Sequence, residues 1–169
     1  MIELKNKFIE IYNSIDSALG NHARNNRKVS EYIADKLNMK LIGYGYSRCV
    51  LEYSKDKVIK VIQNYEGLVA NELESKLWEC VPKTLKKYLA PICEYDKEDF
   101  IYIVMKKENQ FTCSEDFENN KKEIEKIKLE FRKHNIYLTD AEGYFNFVYD
   151  NNDNILLCDY ADYEKIDKV

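Results

Sequence analysis

Three apolar, β-prone runs follow one another so closely that only one kind of pairing is open to them. Leu41-Ile42-Gly43-Tyr44 leads through Gly45-Tyr46-Ser47 into Arg48-Cys49-Val50, and Ser54-Lys55-Asp56 separates that run from Lys57-Val58-Ile59-Lys60-Val61. Parallel neighbours need a crossover of about a dozen residues or more, so these strands must pair antiparallel. The chain has five glycines, and two of them, Gly43 and Gly45, sit two apart at the first turn. Glycine lets a backbone approach a ligand closely and take φ > 0 at little cost. Lys60 on the third strand then points at whatever lies under the turn.

The rest of the chain alternates helix and strand signals. Leu4, Phe8, Ile11, Tyr12, Ile15 and Leu19 recur at helical spacing, with Gly20-Asn21 as a stop. A polar, basic stretch links them to a second helix lined by Val29, Tyr32, Ile33 and Leu37. After the three strands, Gln63 to Gly67 breaks the pattern, and a helix follows from Leu68 to Trp78. Its stripe of Leu73, Leu77 and Trp78 is flanked by Glu72, which could reach Lys60, while Glu74 falls on another face. Pro82 and Pro91 bound a linker into two more strands, Ile92–Tyr95 and Phe100–Met105, joined by the charged turn Asp96-Lys97-Glu98-Asp99. A strong helix runs from Glu118 to His134, where His134 reads as a C-terminal cap.

Composition excludes several classes. At 169 residues, 45% hydrophobic and 33% charged, the chain is an ordinary globular protein with room for a real core. Its net charge of −4 argues against nucleic-acid binding driven by overall charge. There is no apolar run near the length of a membrane span and no leader pattern, so the expectation is a cytoplasmic protein with no membrane partner. Cys49, Cys80, Cys93, Cys113 and Cys158 are scattered singly and offer no zinc-site spacing, which points to reduced, buried thiols.

Late in the chain comes a second constellation. Leu138-Thr139-Asp140 leads to Asn146, then Phe147-Val148-Tyr149, the turn Asp150-Asn151-Asn152-Asp153, and Ile155-Leu156-Leu157-Cys158 ending on Asp159. Together with the glycine turn, Lys60 and a helical glutamate, this order resembles the protein-kinase-like superfamily, including the small-molecule phosphotransferases, from about Leu41 to Asp162. The resemblance implies a truncated protein-kinase-like α+β fold: an antiparallel five-stranded sheet with helices, plus a catalytic-type hairpin. Residues 1–38 would be an N-terminal helical pair, 39–107 an N-lobe-like sheet with one helix, and 108–169 a reduced C-lobe.

The same resemblance implies ATP and Mg²⁺ as cofactors and assigns roles. Gly43 and Gly45 cover the phosphates, Lys60 grips them and Glu72 holds Lys60. Backbone groups of Met105, Lys106 and Lys107 form the hinge that meets the adenine edge. Asp140 accepts the proton of the acceptor hydroxyl, and Asn146 and Asp159 ligate the metal. Glu142 and Asp162 read as surface acids nearby.

The family pattern is not kept throughout. Arg48 stands where the turn's third glycine belongs, and Leu138-Thr139 replaces His-Arg. Asp140 and Asn146 are six steps apart where five is usual, and Tyr160-Ala161 replaces Phe-Gly. Seven residues follow Asp162, too few for the family's substrate platform. Two functions are therefore expected. One is an ATP/Mg-dependent phosphotransferase with an unknown acceptor. The other is a degenerate kinase-like module that binds a protein as inhibitor or regulator, of a size that fits a phage or mobile-element origin. The expected partner is a nucleotide; a protein substrate or target is open as a second, with no membrane partner and no nucleic acid.

Overall fold

Antiparallel hairpins are what the structure contains. A computed structural model, describing residues 2–165, forms β1 (Leu41–Tyr44), β2 (Arg48–Ser54) and β3 (Lys57–Ile62) as two successive antiparallel pairs. β4 (Ile92–Tyr95) and β5 (Tyr102–Lys106) complete a five-stranded antiparallel sheet in the order β1-β2-β3-β5-β4. β3 takes the middle position because its run of Val58 to Ile62 is apolar on both faces apart from Lys60. The chain divides into two units. One runs to Glu72 and takes in Ile92–Lys107; the other comprises Leu73–Pro91 and the residues from Glu108 onward. The N-terminal helical pair thus shares a unit with the sheet.

In the first unit, α1 (Ile2–Leu19) and α2 (Asn26–Leu37) lay their apolar stripes on the sheet. Phe8, Ile11 and Ile15 of α1 and Val29, Ile33 and Leu37 of α2 share one core with Leu51, Ile59, Val61 and Val104. Full burial of each such apolar side chain contributes about 1.5–3 kcal/mol. Asn25 caps α2 by accepting the Lys28 N–H at 3.0 Å, and Asn38 ends it in the left-handed region at φ 54°. Lys5 of α1 reaches the β4–β5 turn, where its Nζ lies 3.1, 3.1 and 2.6 Å from carboxylate oxygens of Asp96, Glu98 and Asp99.

The third helix, α3 (Tyr65–Cys80), begins earlier than its periodicity suggests. Gly67 reads as a breaker in the sequence, yet it lies in the first turn of the helix, because Asn64 caps that turn through its side chain. A Cβ on Gly67 would lie 2.4 Å from the Ser47 carbonyl oxygen, so only glycine lets the helix start this close to the β1–β2 turn. A buried polar chain also ties α3 to the first unit: Arg48 donates to Asn71 Oδ1 at 3.1 Å, and Asn71 Nδ2 donates to the Phe100 carbonyl at 2.7 Å. That carbonyl belongs to a bulky residue held at φ 54°, a strained conformation that such a bond helps to maintain.

The second unit contains the C-terminal turns of α3 and the short α4 (Lys83–Lys86), which lies inside the stretch read as a linker. It also contains α5 (Ser114–Arg132), whose buried face is Ile124, Ile127 and Phe131. This helix starts before Glu118 because Asp116 caps it, accepting the Thr112 and Cys113 N–H groups at 2.6 and 3.3 Å. Its last turn closes before His134, whose N–H donates to the Phe131 carbonyl at 2.9 Å. Two small sheets follow. β6 (Asn109–Gln110), β8 (Phe147–Tyr149) and β9 (Ile155–Leu157) form one, and β7 (Ile136–Leu138) pairs antiparallel with β10 (Tyr163–Lys165) in the other. The late hairpin is β8–β9; Asp150 Oδ1 holds its turn by accepting the N–H groups of Asn152 and Asn154.

The expectation of buried cysteines holds for Cys49 alone. Cys80, Cys93 and Cys113 are exposed and Cys158 is half-buried, and all five are free thiols. Cys93 lies on the outer face of β4, while Cys80 ends α3 and Cys113 stands at the N-cap of α5, places that face water.

Candidate functional site

In the first unit the glycine turn is built by its own backbone. The Gly45 N–H donates to the Arg48 carbonyl at 2.9 Å, closing the turn between β1 and β2. Neither Gly43 nor Gly45 has a positive φ, so backbone conformation does not demand glycine at either place. What the glycines leave is open space. A Cβ at Gly43 would meet nothing within 4 Å, and one at Gly45 only the Arg48 carbonyl oxygen at 3.8 Å. Arg48, in the third-glycine position, is buried through its bond to Asn71.

Lys60 sits in the middle of the sheet, opposite Val50 of β2 and Ile103 of β5, and only 6% of it is exposed. An ammonium is kept inside a sheet only where it is paired, and Lys60 has a partner. At the hinge, Met105 is buried in β5 between Val58 and Ile92. Lys107 is committed elsewhere: its N–H donates to the Asp56 carbonyl at 2.9 Å and its Nζ to Glu52 at 2.7 Å. That ammonium holds the Glu52 carboxyl below the usual carboxylate range.

The second unit gathers the acids. Asp140 and Glu142 are exposed on the loop after β7, while Asn146 at the loop's end is 2% exposed. Asn146 Nδ2 donates to the Asp140 carbonyl at 2.5 Å and its N–H to the Gly143 carbonyl at 3.0 Å. The extra residue between Asp140 and Asn146 is taken up in a 3₁₀ turn, Tyr144–Asn146, so the two ends of the loop still meet. The Cys158 N–H donates to the Asn146 carbonyl at 2.8 Å, which brings Asp159 beside the same loop. Asp159 and Asp162 are exposed, and the Asp162 carbonyl accepts the Thr139 N–H at 3.0 Å.

Spacing puts Glu74 on another face than the apolar stripe, yet it is fully buried and accepts the Tyr160 N–H at 3.3 Å, whereas Glu72 is half-buried. The inward positions of this helix include Asn71, Glu74 and Ser75. Hydrophobic periodicity cannot detect a buried stripe made of polar residues. Tyr160 is buried and donates its hydroxyl to the Ala90 carbonyl at 3.1 Å.

The ligand types suit the expected metal. Asn146 spends its NH₂ on Asp140, so the amide's oxygen lies on the opposite side of the group, and Asp159 offers an exposed carboxylate; a hard cation such as Mg²⁺ takes such oxygens. Among the described residues the one cluster of three acids able to converge on an ion is Asp96, Glu98 and Asp99, and Lys5 already supplies its positive charge.

No protein-family model and no curated protein matches the sequence. Solved structures do. The bifunctional kinase-methyltransferase WbdD superposes with a TM-score of 0.55 at 13% identity, over 72% of this chain and 31% of that one. A higher-resolution crystal structure of WbdD gives 0.53 at 14% identity over 72% and 31%. Its co-crystal with the kinase inhibitor LY294002 gives 0.52 at 14% over 72% and 32%. The fold is kinase-like. The chain spans about a third of the length of the WbdD chains it matches, and at this identity the likeness concerns fold alone. In that kinase-like fold the glycine turn and Lys60 belong to the first unit, and Asp140, Asn146 and Asp159 to the second. No helix among the described residues is long and apolar enough to cross a membrane.

Proposed function

We propose that the chain is a phosphotransferase of the protein-kinase-like type, which binds ATP with Mg²⁺ and transfers a phosphoryl group to a hydroxyl acceptor. The observation that carries this reading is the closed loop of the second unit. Asn146 binds the Asp140 carbonyl, and Cys158 binds Asn146, so a base candidate and two oxygen ligands stand on adjoining backbone despite the inserted residue.

Phosphoryl transfer asks a protein for position and charge neutralisation more than for covalent chemistry. Asp140 would hold the acceptor hydroxyl and take its proton as the oxygen attacks phosphorus and the bond to the leaving diphosphate breaks. Asn146 and Asp159 would hold Mg²⁺, which when bound neutralises charge on the phosphates. Gly43 and Gly45 would leave the covering turn free of side chains, and Lys60 would grip a phosphate. Glu72 would orient Lys60.

A second reading, a non-catalytic binding module, is favoured by one observation: the Lys107 N–H expected at the adenine edge is donated to Asp56. Thermal unfolding with millimolar MgATP separates the two. The phosphotransferase reading expects a rise in melting temperature through mass action, reduced in Lys60→Met and in Asp159→Asn. Labelled ATP should then give transfer to an acceptor from a lysate. A folded protein with no shift and no transfer leaves the binding module standing.

A further inference from the structure

The β1–β2 turn is not a free flap. Its three successive carbonyls are all held from one side by the junction between β3 and α3. The Gly45 carbonyl accepts from Gln63 Nε2 at 3.4 Å, the Tyr46 carbonyl from Asn64 Nδ2 at 3.1 Å, and the Ser47 carbonyl from the Gln63 N–H at 2.8 Å. In a trans peptide the C=O of one residue and the N–H of the next point in opposite directions. Carbonyls that converge on Gln63 and Asn64 therefore turn the N–H groups of Tyr46, Ser47 and Arg48 away from that junction. Successive N–H groups presented by a turn are an arrangement that suits anions.

Asn64 does two things with one planar amide. Its Oδ1 accepts the Gly67 N–H at 3.1 Å and caps α3, while its Nδ2 holds the Tyr46 carbonyl. The cap and the latch are the two ends of a single rigid group. Gly67 adds to the coupling, because the absence of its Cβ is what lets the Ser47 carbonyl lie against the helix start.

We propose that Asn64, assisted by Gln63, is a positioning residue that latches the glycine turn to the N-terminus of α3 and so aims the turn's N–H groups at a phosphate-bearing ligand. The ligand part rests on the nucleotide reading above; the latch does not. Gln63 also carries a buried Oε1 without a hydrogen-bond partner in the protein.

Amide hydrogen exchange on the full chain, with and without MgATP, tests this. Asn64→Ser keeps a good cap, since serine oxygens cap helices about as well as asparagine, but it is too short to reach Tyr46 as well. The Gly45 and Gln63 amides, whose acceptors are the Arg48 and Ser47 carbonyls, should then exchange about fivefold faster, the effect of one ordinary hydrogen bond. The Val69 and Ala70 amides of α3 should keep their wild-type rates. Asn64→Ala, which loses both ends, should speed both regions. The Kd for MgATP should rise by a similar factor in Asn64→Ser, with a melting temperature lowered only by the few degrees that one hydrogen bond is worth, and the rise in Kd should persist well below the melting range, which loss of a purely structural contact would not produce. Unchanged Gly45 and Gln63 exchange in Asn64→Ser overturns the latch, and so does equal acceleration of turn and helix. If MgATP protects no amide of the wild type, the nucleotide reading falls, while exchange of the ligand-free protein still decides the latch.

Discussion

The two units treat charge in opposite ways. In the first, the cations at the centre of interest are inside: Lys60 is 6% exposed and Arg48 7%, held among strands and, for Arg48, by Asn71. In the second, Asp140, Glu142, Asp159 and Asp162 are all exposed, and what is buried beside them is a neutral amide, Asn146. Lysine and arginine carry long aliphatic stems that a sheet can bury. A short carboxylate has no such stem and stays in water unless it is fully paired. A substitution in the first group therefore disturbs both folding and any ligand, whereas one in the second can remove chemistry from an intact protein.

The largest expected effect tests that separation directly. Asp140→Asn should lower phosphoryl transfer by about 10²–10⁴-fold, the usual worth of a positioned base, while stability shifts by less than about 0.5 kcal/mol. Transfer at the wild-type rate in this variant would remove Asp140 from the reaction. Next comes the exception to the exposed acids. Glu74→Ala strands the buried Tyr160 N–H and should cost about 1–3 kcal/mol in urea unfolding, Glu74→Gln less because it keeps an acceptor, and Glu72→Ala least. Equal costs for Glu72→Ala and Glu74→Ala would show that burial does not distinguish them.

A third test reads burial through the thiols. Burial pushes the Cys49 thiol up to about 12, so a thiol reagent at pH 8 should label Cys80, Cys93 and Cys113 quickly and Cys49 only on unfolding. Labelling of Cys49 at the rate of Cys113 would mean the sheet opens readily.

The smallest effect concerns Lys5. Its hydrogen bond to Asp99, with those to Asp96 and Glu98, raises the ammonium above its ordinary value of 10.5. A raised folded value means that the contribution is complete below about pH 10.5 and is lost as pH climbs through the folded value. Melting temperature should thus fall less in Lys5→Met than in wild type across that alkaline range. Parallel curves for the two proteins would show that the Lys5 cluster adds nothing.

Sequence patterns located most elements because these follow local rules. Close-spaced β-prone runs forced antiparallel pairing, and helical spacing placed α1 on Ile2–Leu19. The Asp150–Asp153 turn placed the late hairpin. The small strands β6, β7 and β10 were not legible, since pieces of two or three residues carry no periodicity and exist only through partners distant in sequence. At the candidate site, Asp140, Asn146 and Asp159 could be picked out by order alone. That their backbone segments adjoin despite the inserted residue depends on the Tyr144–Asn146 turn and on Cys158, which no spacing rule anticipates.

By itself, then, the sequence determined the strand pairing, the helical faces and the kinds of residue available for chemistry, since each follows from neighbours a few positions apart. Only the tertiary structure decided that Glu74 is the buried glutamate, that Lys107 is engaged with Asp56 and Glu52, and that Asn64 joins the glycine turn to α3. Those choices rest on polar groups finding partners 18, 51, 55 or 86 positions away in the chain. A buried polar atom must be satisfied by whatever the fold brings beside it, and local pattern does not specify what that will be.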